Sequence, residues 1–248
     1  MTRINKRMPT FALAGIFMAM TGAEAMASAV LPTTSVLIIE EADREGTIGI
    51  KNTNKEPVLL YSRVQRLEDE DLDAVLIPSP QAVVVQPGET QTVRLLYRSK
   101  NKLDKEHLAR IQFMGIPPEK QQSGASVGFM VGQDLPVVIR PKGYKPVENK
   151  WKFLKWSIQN TQLCVANETK TVIRFVNDVT LLPGKEAIKM PKAYALPGSK
   201  NCAELPANYK YNLASKVRFS AVTDYNYMID DRQAEITIAP PSLPVKKQ

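Results

Sequence analysis

The chain has 248 residues, with 33 lysines and arginines against 25 acidic side chains and a formal net charge of +8. One histidine and two cysteines exclude a histidine-rich metal centre, and a histidine-based catalytic triad would have to use His107. The basic residues are scattered rather than clustered, and the amino terminus reads as an export signal, so nucleic acid is not expected as a partner.

That signal comes first in chain order. Arg3, Lys6 and Arg7 precede an apolar run from Phe11 to Met20. Ala25, Ala27 and Ala29 offer small-residue cleavage sites, and residues 1–27 read as a signal peptide. The run is well short of the roughly 20 residues a membrane-spanning helix needs.

Short β-branched and aromatic runs then alternate with turn signals, an all-β pattern. Val36–Ile39 is apolar, Thr47–Lys51 alternates, and Val58–Leu67 ends in the acidic turn Glu68–Asp71. Pro78-Ser79-Pro80 interrupts before Ala82–Val85, and Gln86-Pro87-Gly88-Glu89 is a turn that launches Thr92–Tyr97. Lys102–Leu108 could make one helical turn at most. Ala109–Ile116 is closed by Pro117-Pro118, a polar stretch from Glu119 to Ala125 follows, and Val127–Ile139 is the next strand.

Arg140 to Pro146 has linker composition. Strand-like runs resume at Lys152–Ile158, Thr171–Val176, Lys216–Val222 and Ala234–Ile238. The chain is too long for one sandwich and suits two of about 100 residues each. The expected division is 28–141, then 147–240, with 241–248 as a flexible tail. Cys164 and Cys202 read as a disulfide within the second unit, because an exported pair with no histidine nearby is better explained by a bridge than by a metal.

No catalytic constellation, phosphate-cradling glycine loop or cofactor motif is apparent. His107 reads as a solvated loop histidine. The group Glu68, Asp69, Glu70, Asp71 and Asp73 lacks the glycine and spacing of a calcium loop and reads as a charged turn. In Val127-Gly128-Phe129-Met130-Val131-Gly132, Val127, Phe129 and Val131 share one strand face and the glycines the other. Such a face either packs in its own core or is offered to a partner, and the pattern alone favours the first.

The chain resembles the PapD-like periplasmic pilus chaperones. The resemblance rests on Pro87-Gly88-Glu89 through Val93-Arg94-Leu95, and on Asp104-Lys105-Glu106 through Phe113 to Ile116-Pro117-Pro118. It extends to the strand ending in Arg140-Pro141 and, more weakly, to Thr223-Asp224-Tyr225. It implies two immunoglobulin-like β-sandwich domains set at an angle, in a protein of the periplasm that is not an enzyme. Val127, Phe129 and Val131 would then be subunit-binding knobs on a strand donated to incomplete pilus subunits, which are delivered to an outer-membrane usher. It also implies interdomain ion pairs among Glu106, Arg140 and Asp224, a cis bond at Ser79-Pro80, and an usher contact near Pro57. The free protein could cap itself as a homo-oligomer.

The family anchors the subunit's terminal carboxylate with two basic residues, but the matching positions here are Val36 and Pro136, which leaves Arg63 and Lys51 as substitutes to consider. The competing reading is a secreted structural or adhesive sandwich protein that buries Val127, Phe129 and Val131 in its own core.

Overall fold

The computed structural model describes residues 30–118, 132–207 and 214–238. The signal segment, the tail, and Val127, Phe129 and Val131 lie outside the described residues. Two β-sandwiches account for nearly everything that is described.

The first is built from β1 (Val30–Pro32), β2 (Leu37–Glu40), β3 (Glu45–Asn52), β4 (Val58–Gln65), β5 (Ala74–Ser79), β6 (Ala82–Val85), β7 (Thr90–Ser99), β8 (His107–Ile116) and β9 (Gly132–Arg140). One sheet runs β1-β3-β7-β5 and the other β2-β9-β8-β4-β6. The strands alternate as half-buried strands must: Ile48 and Ile50, Val93 and Leu95, Ile111 and Phe113, and Val137 and Ile139 all face inward.

The chain's first strand changes sheets. β1 pairs with β3, Thr33 N–H bonds the Gly49 carbonyl at 2.8 Å, and β2 then pairs in parallel with β9. Gly46 permits the close approach of β2, because a Cβ there would lie 2.9 Å from the Ile38 carbonyl oxygen.

β5 runs through Pro78, which the sequence reading takes as an interruption. The strand is at the edge of its sheet, where a missing N–H costs no ladder bond. The Ser79-Pro80 bond that follows is cis, and so is Leu182-Pro183, which carries no sequence flag. His107 and Leu108 are not loop residues: they open β8 and are 4% and 1% exposed.

The second sandwich contains a 3₁₀ turn at Lys150–Phe153, where the sequence suggests that a strand has already begun. Its strands are β10 (Lys155–Gln159), β11 (Gln162–Ala166), β12 (Ile173–Phe175), β13 (Asp178–Leu182), β14 (Glu186–Lys189), β15 (Tyr194–Ala195), β16 (Lys200–Glu204), β17 (Lys216–Val222) and β18 (Met228–Ile238). β18 joins the two faces, pairing antiparallel with β17 up to Glu235 and parallel with β10 from Ile236. Trp156 sits at the centre, 5.8 Å from the Phe175 ring and 5.4 Å from that of Phe219.

Cys164 and Cys202 are directly opposed on β11 and β16 and are bonded to each other across 38 residues of sequence. Replacing both with alanine should lower stability by about 2–4 kcal/mol, because the unfolded chain regains the freedom of that loop. Urea unfolding of the double variant measures this loss, and an unchanged midpoint would contradict it.

Candidate cleft between the two sandwiches

The domains meet through an apolar seam. Val36, Leu108 and Val138 from the first pack against Val172 and Leu196 from the second. Val36, which stands where a basic anchor is expected, is 7% exposed within this seam, and an unpaired lysine or arginine there would carry a large desolvation cost.

Beside the seam lies an ion-pair junction. Glu106 is fully buried, and every hydrogen bond its carboxylate accepts crosses to a distant segment. Oε1 accepts from Arg140 Nε at 3.1 Å; Oε2 accepts from the Thr171 hydroxyl at 2.6 Å and the Val172 N–H at 2.8 Å. Arg140 also donates from Nη2 to Asp224 Oδ2 at 2.7 Å. The three residues named from sequence therefore meet, and the structure adds members to the group. Lys150 pairs with Asp224, and the Tyr144 ring lies 5.1 Å beneath the Arg140 guanidinium.

Burial opposes the charge on Arg140, but Asp224 and Glu106 outweigh it and raise its pKa. Burial pushes the Tyr144 phenol up to about 12, so its hydroxyl stays protonated beside Thr171. The linker is thus docked rather than free, which proline and glycine composition could not reveal.

The acidic turn is a second clasp. Asp69 accepts a bond from the Tyr194 hydroxyl at 2.9 Å and pairs with Lys192, both in the second domain. Glu70 holds His107 Nδ1 at 2.8 Å and accepts the Leu108 N–H at 2.9 Å. Asp71 pairs with Lys105 at 2.9 Å. Glu70, Asp71 and His107 have the residue types of a metal cluster, but Glu70 is committed through both oxygens to β8. The turn read as merely charged instead helps hold the domains together through Asp69, and the histidine read as solvated is buried against Glu70 within the first domain.

Burial raises the pKa of Asp69, but the bonds from Lys192 and Tyr194 more than reverse this and hold it below its ordinary 3.8. A depressed carboxylate contributes stability that is complete above its unfolded value and lost as pH falls through the folded one. Stability measured by urea should therefore decline from about pH 5 to about pH 3, and Asp69→Asn should shrink the decline by up to about 1 kcal/mol. An identical decline in both proteins would deny Asp69 this part.

Beside Leu108 of the seam opens a cleft of about 500 Å³, walled by Pro32 to Ser35, by β9 from Gln133 to Pro136, and by Phe175, Tyr194 and Asn226. The backbone of β9 is the notable feature. β8 pairs with it from Gly132 to Ile139, but β2 covers its other edge only from Val137 to Arg140. Gly132 to Pro136 thus present a half-open edge to the cleft. Pro136 fits where no strand lies alongside.

Two guanidiniums line this cleft, and neither stands out in the sequence. Arg110 lies directly across from Pro136 on β8, and its Nε is 2.9 Å from both oxygens of Asp134. Arg174 is 7% exposed and donates only to neutral oxygens: Asn226 Oδ1 at 2.9 Å, the Thr223 carbonyl at 2.7 Å and the Asp224 carbonyl at 3.2 Å. Burial lowers its pKa, with only partial compensation from Asp224. Among the described residues no carboxylate pairs with it. Arg63 and Lys51, the substitutes suggested by sequence, are exposed residues of β4 and β3 and do not line the cleft.

Pro57 is exposed at the start of β4, next to an apolar outward strip in which Leu59 faces Val84 across the β4–β6 pair.

Residues 29–145 match the family described as pili and flagellar-assembly chaperone, PapD N-terminal domain. The uncharacterized fimbrial chaperone YhcA of Escherichia coli is 32% identical over 207 residues, covering 84% of this chain and 90% of that protein. Among solved structures, a chain of the Salmonella enterica SafA pilin–SafB chaperone complex shares the fold with a TM-score of 0.69 at 18% identity, covering 84% of this chain and 96% of that one. The Escherichia coli chaperone DraB superposes with a TM-score of 0.66 at 22% identity, over 86% of this chain and 98% of its own.

Proposed function

Because the chain belongs to the PapD-like family of pilus and fimbrial assembly chaperones, we propose that it acts in the periplasm by lending β9 to an incomplete subunit and passing that subunit to an outer-membrane usher. The observation that carries the reading is the half-open edge of β9 in the interdomain cleft. Main-chain groups on such an edge bind an added strand, and alternate side chains supply specificity. Carried back from the core-facing Leu135 and Val137, the two-residue period gives Val131, Phe129 and Val127 the same parity. They are the subunit-binding knobs of this reading.

Arg174 and Arg110 take over the carboxylate-binding task that Val36 and Pro136 cannot perform. Arg174 is the better placed of the two, since Arg110 already has Asp134. The exposed strip beside Pro57 is the usher contact, and a second copy of the chain occupies the β9 edge when no subunit is present.

The test is periplasmic co-expression with each fimbrial subunit of the same genome. One of them should accumulate only with this chain and should copurify with it at one to one. Subunit levels that do not depend on the chain would refute the proposal.

A further inference from the structure

The hairpin between β17 and β18 is pinned on one side and bare on the other. Thr223 N–H bonds the Tyr227 carbonyl at 2.9 Å, Asn226 N–H bonds the Thr223 carbonyl at 3.0 Å, and Tyr227 N–H bonds the Thr223 hydroxyl at 3.0 Å. Asn226 turns the chain in a left-handed conformation, with φ of 67°. Half-buried Asp224 is held by Arg140 and Lys150, and Asn226, although exposed, is held by Arg174. The side chains beside them are bare: Tyr225, Tyr227 and Met228 are 67%, 72% and 61% exposed. A rigid tip presenting two tyrosines and a methionine has little ordering cost left to meet on binding, and these residue types are enriched at interfaces.

We infer that this tip is a second docking surface for the body of the fimbrial subunit whose strand lies along β9, an inference that rests on the chaperone reading above. Continuity selects this occupant. The Tyr225 carbonyl accepts a bond from Ser35 in the cleft wall at 3.3 Å, and Val222 and Asn226 line the cleft itself. Arg174 is held by the hairpin's own Thr223 and Asp224 carbonyls. Tyr225 and Tyr227 are the chain neighbours of Asn226, a residue of the cleft wall, which puts them at the rim that a polypeptide anchored at Arg174 would cross. The tip adds apolar and aromatic contact outside the strand exchange, favouring a partner with an apolar surface beside its strand-deficient groove.

The test uses the full chain with Tyr225→Ser and Tyr227→Ser together. Both positions face outward, so the unfolding midpoint should not move. The probes are the subunit recovered by co-expression and a synthetic peptide copying its β9-pairing strand. Affinity for the whole subunit should fall about tenfold or more, while the peptide binds both proteins equally. Whole-subunit affinity within about twofold of wild type would overturn the docking surface and leave the chaperone reading intact. A parallel loss of peptide affinity would also overturn it, by showing that the cleft rather than the tip had changed. If the unsubstituted chain captures no subunit, both readings fall together.

Discussion

Phe129→Glu is expected to abolish recovery of a fimbrial subunit while leaving unfolding of the free chain nearly unchanged. Burying one phenylalanine in a subunit groove contributes about 1.5–3 kcal/mol, and forcing an unpaired carboxylate into that groove costs several more. A combined loss above about 4 kcal/mol is roughly a thousandfold in affinity, enough to remove a copurifying partner. On the strand-donation reading Phe129 packs in the subunit's groove and not in the chain's own core, so the free chain should keep its stability. Copurification reads the first effect and urea unfolding the second. If the variant instead unfolds with a loss of about 3–5 kcal/mol, the size expected for an aromatic core residue, Phe129 belongs to the protein's own core. The structural or adhesive reading would then replace strand donation.

Arg140→Ala is expected to cost about 3–5 kcal/mol, the range for removing one partner of a buried pair. Its guanidinium is the only cation within 3.5 Å of the fully buried Glu106 carboxylate among the described residues, since Lys150 lies 3.8 Å away. Its loss strands a charge in the seam between domains and frees Asp224 from one of its two partners. Glu106→Ala alone should be similarly costly, but the double variant should cost less than the sum, because each single change leaves the other residue uncompensated. Additive losses would mean that the two residues stabilise the chain independently. A loss below about 1 kcal/mol for Arg140→Ala would place this contact among ordinary surface pairs. The same substitutions should weaken subunit capture beyond their effect on stability, since the junction fixes the cleft walls relative to one another.

Much of this architecture is local enough to be legible. Alternation at Ile48 and Ile50, or at Val93 and Leu95, has the two-residue period of a pleated strand, and Pro87-Gly88 needs only its own neighbours to turn. Two cysteines in a chain with an export signal have one intramolecular pairing available. The strands missed in the second domain, β13 and β14 among them, are short runs such as Asp178–Leu182, in which a few apolar residues carry too little pattern. Pro78 hid β5 because a proline's tolerance depends on whether its strand is central or at an edge.

The sequence by itself determined the all-β class, the paired cysteines and the family resemblance, because these follow from nearest-neighbour chemistry and from the order of motifs along the chain. Beyond Glu106, Arg140 and Asp224, which the resemblance named, tertiary structure alone decided which charges matter. Asp69 meets Tyr194 across 125 residues of sequence, His107 is buried by Glu70 from another strand connection, and Arg174 lines a cleft whose opposite wall is β9. Val36 could be recognised as unable to bind an anion, but not as part of an apolar seam. Coulomb and desolvation energies depend on distance and burial, and neither quantity exists until the two sandwiches are packed against each other.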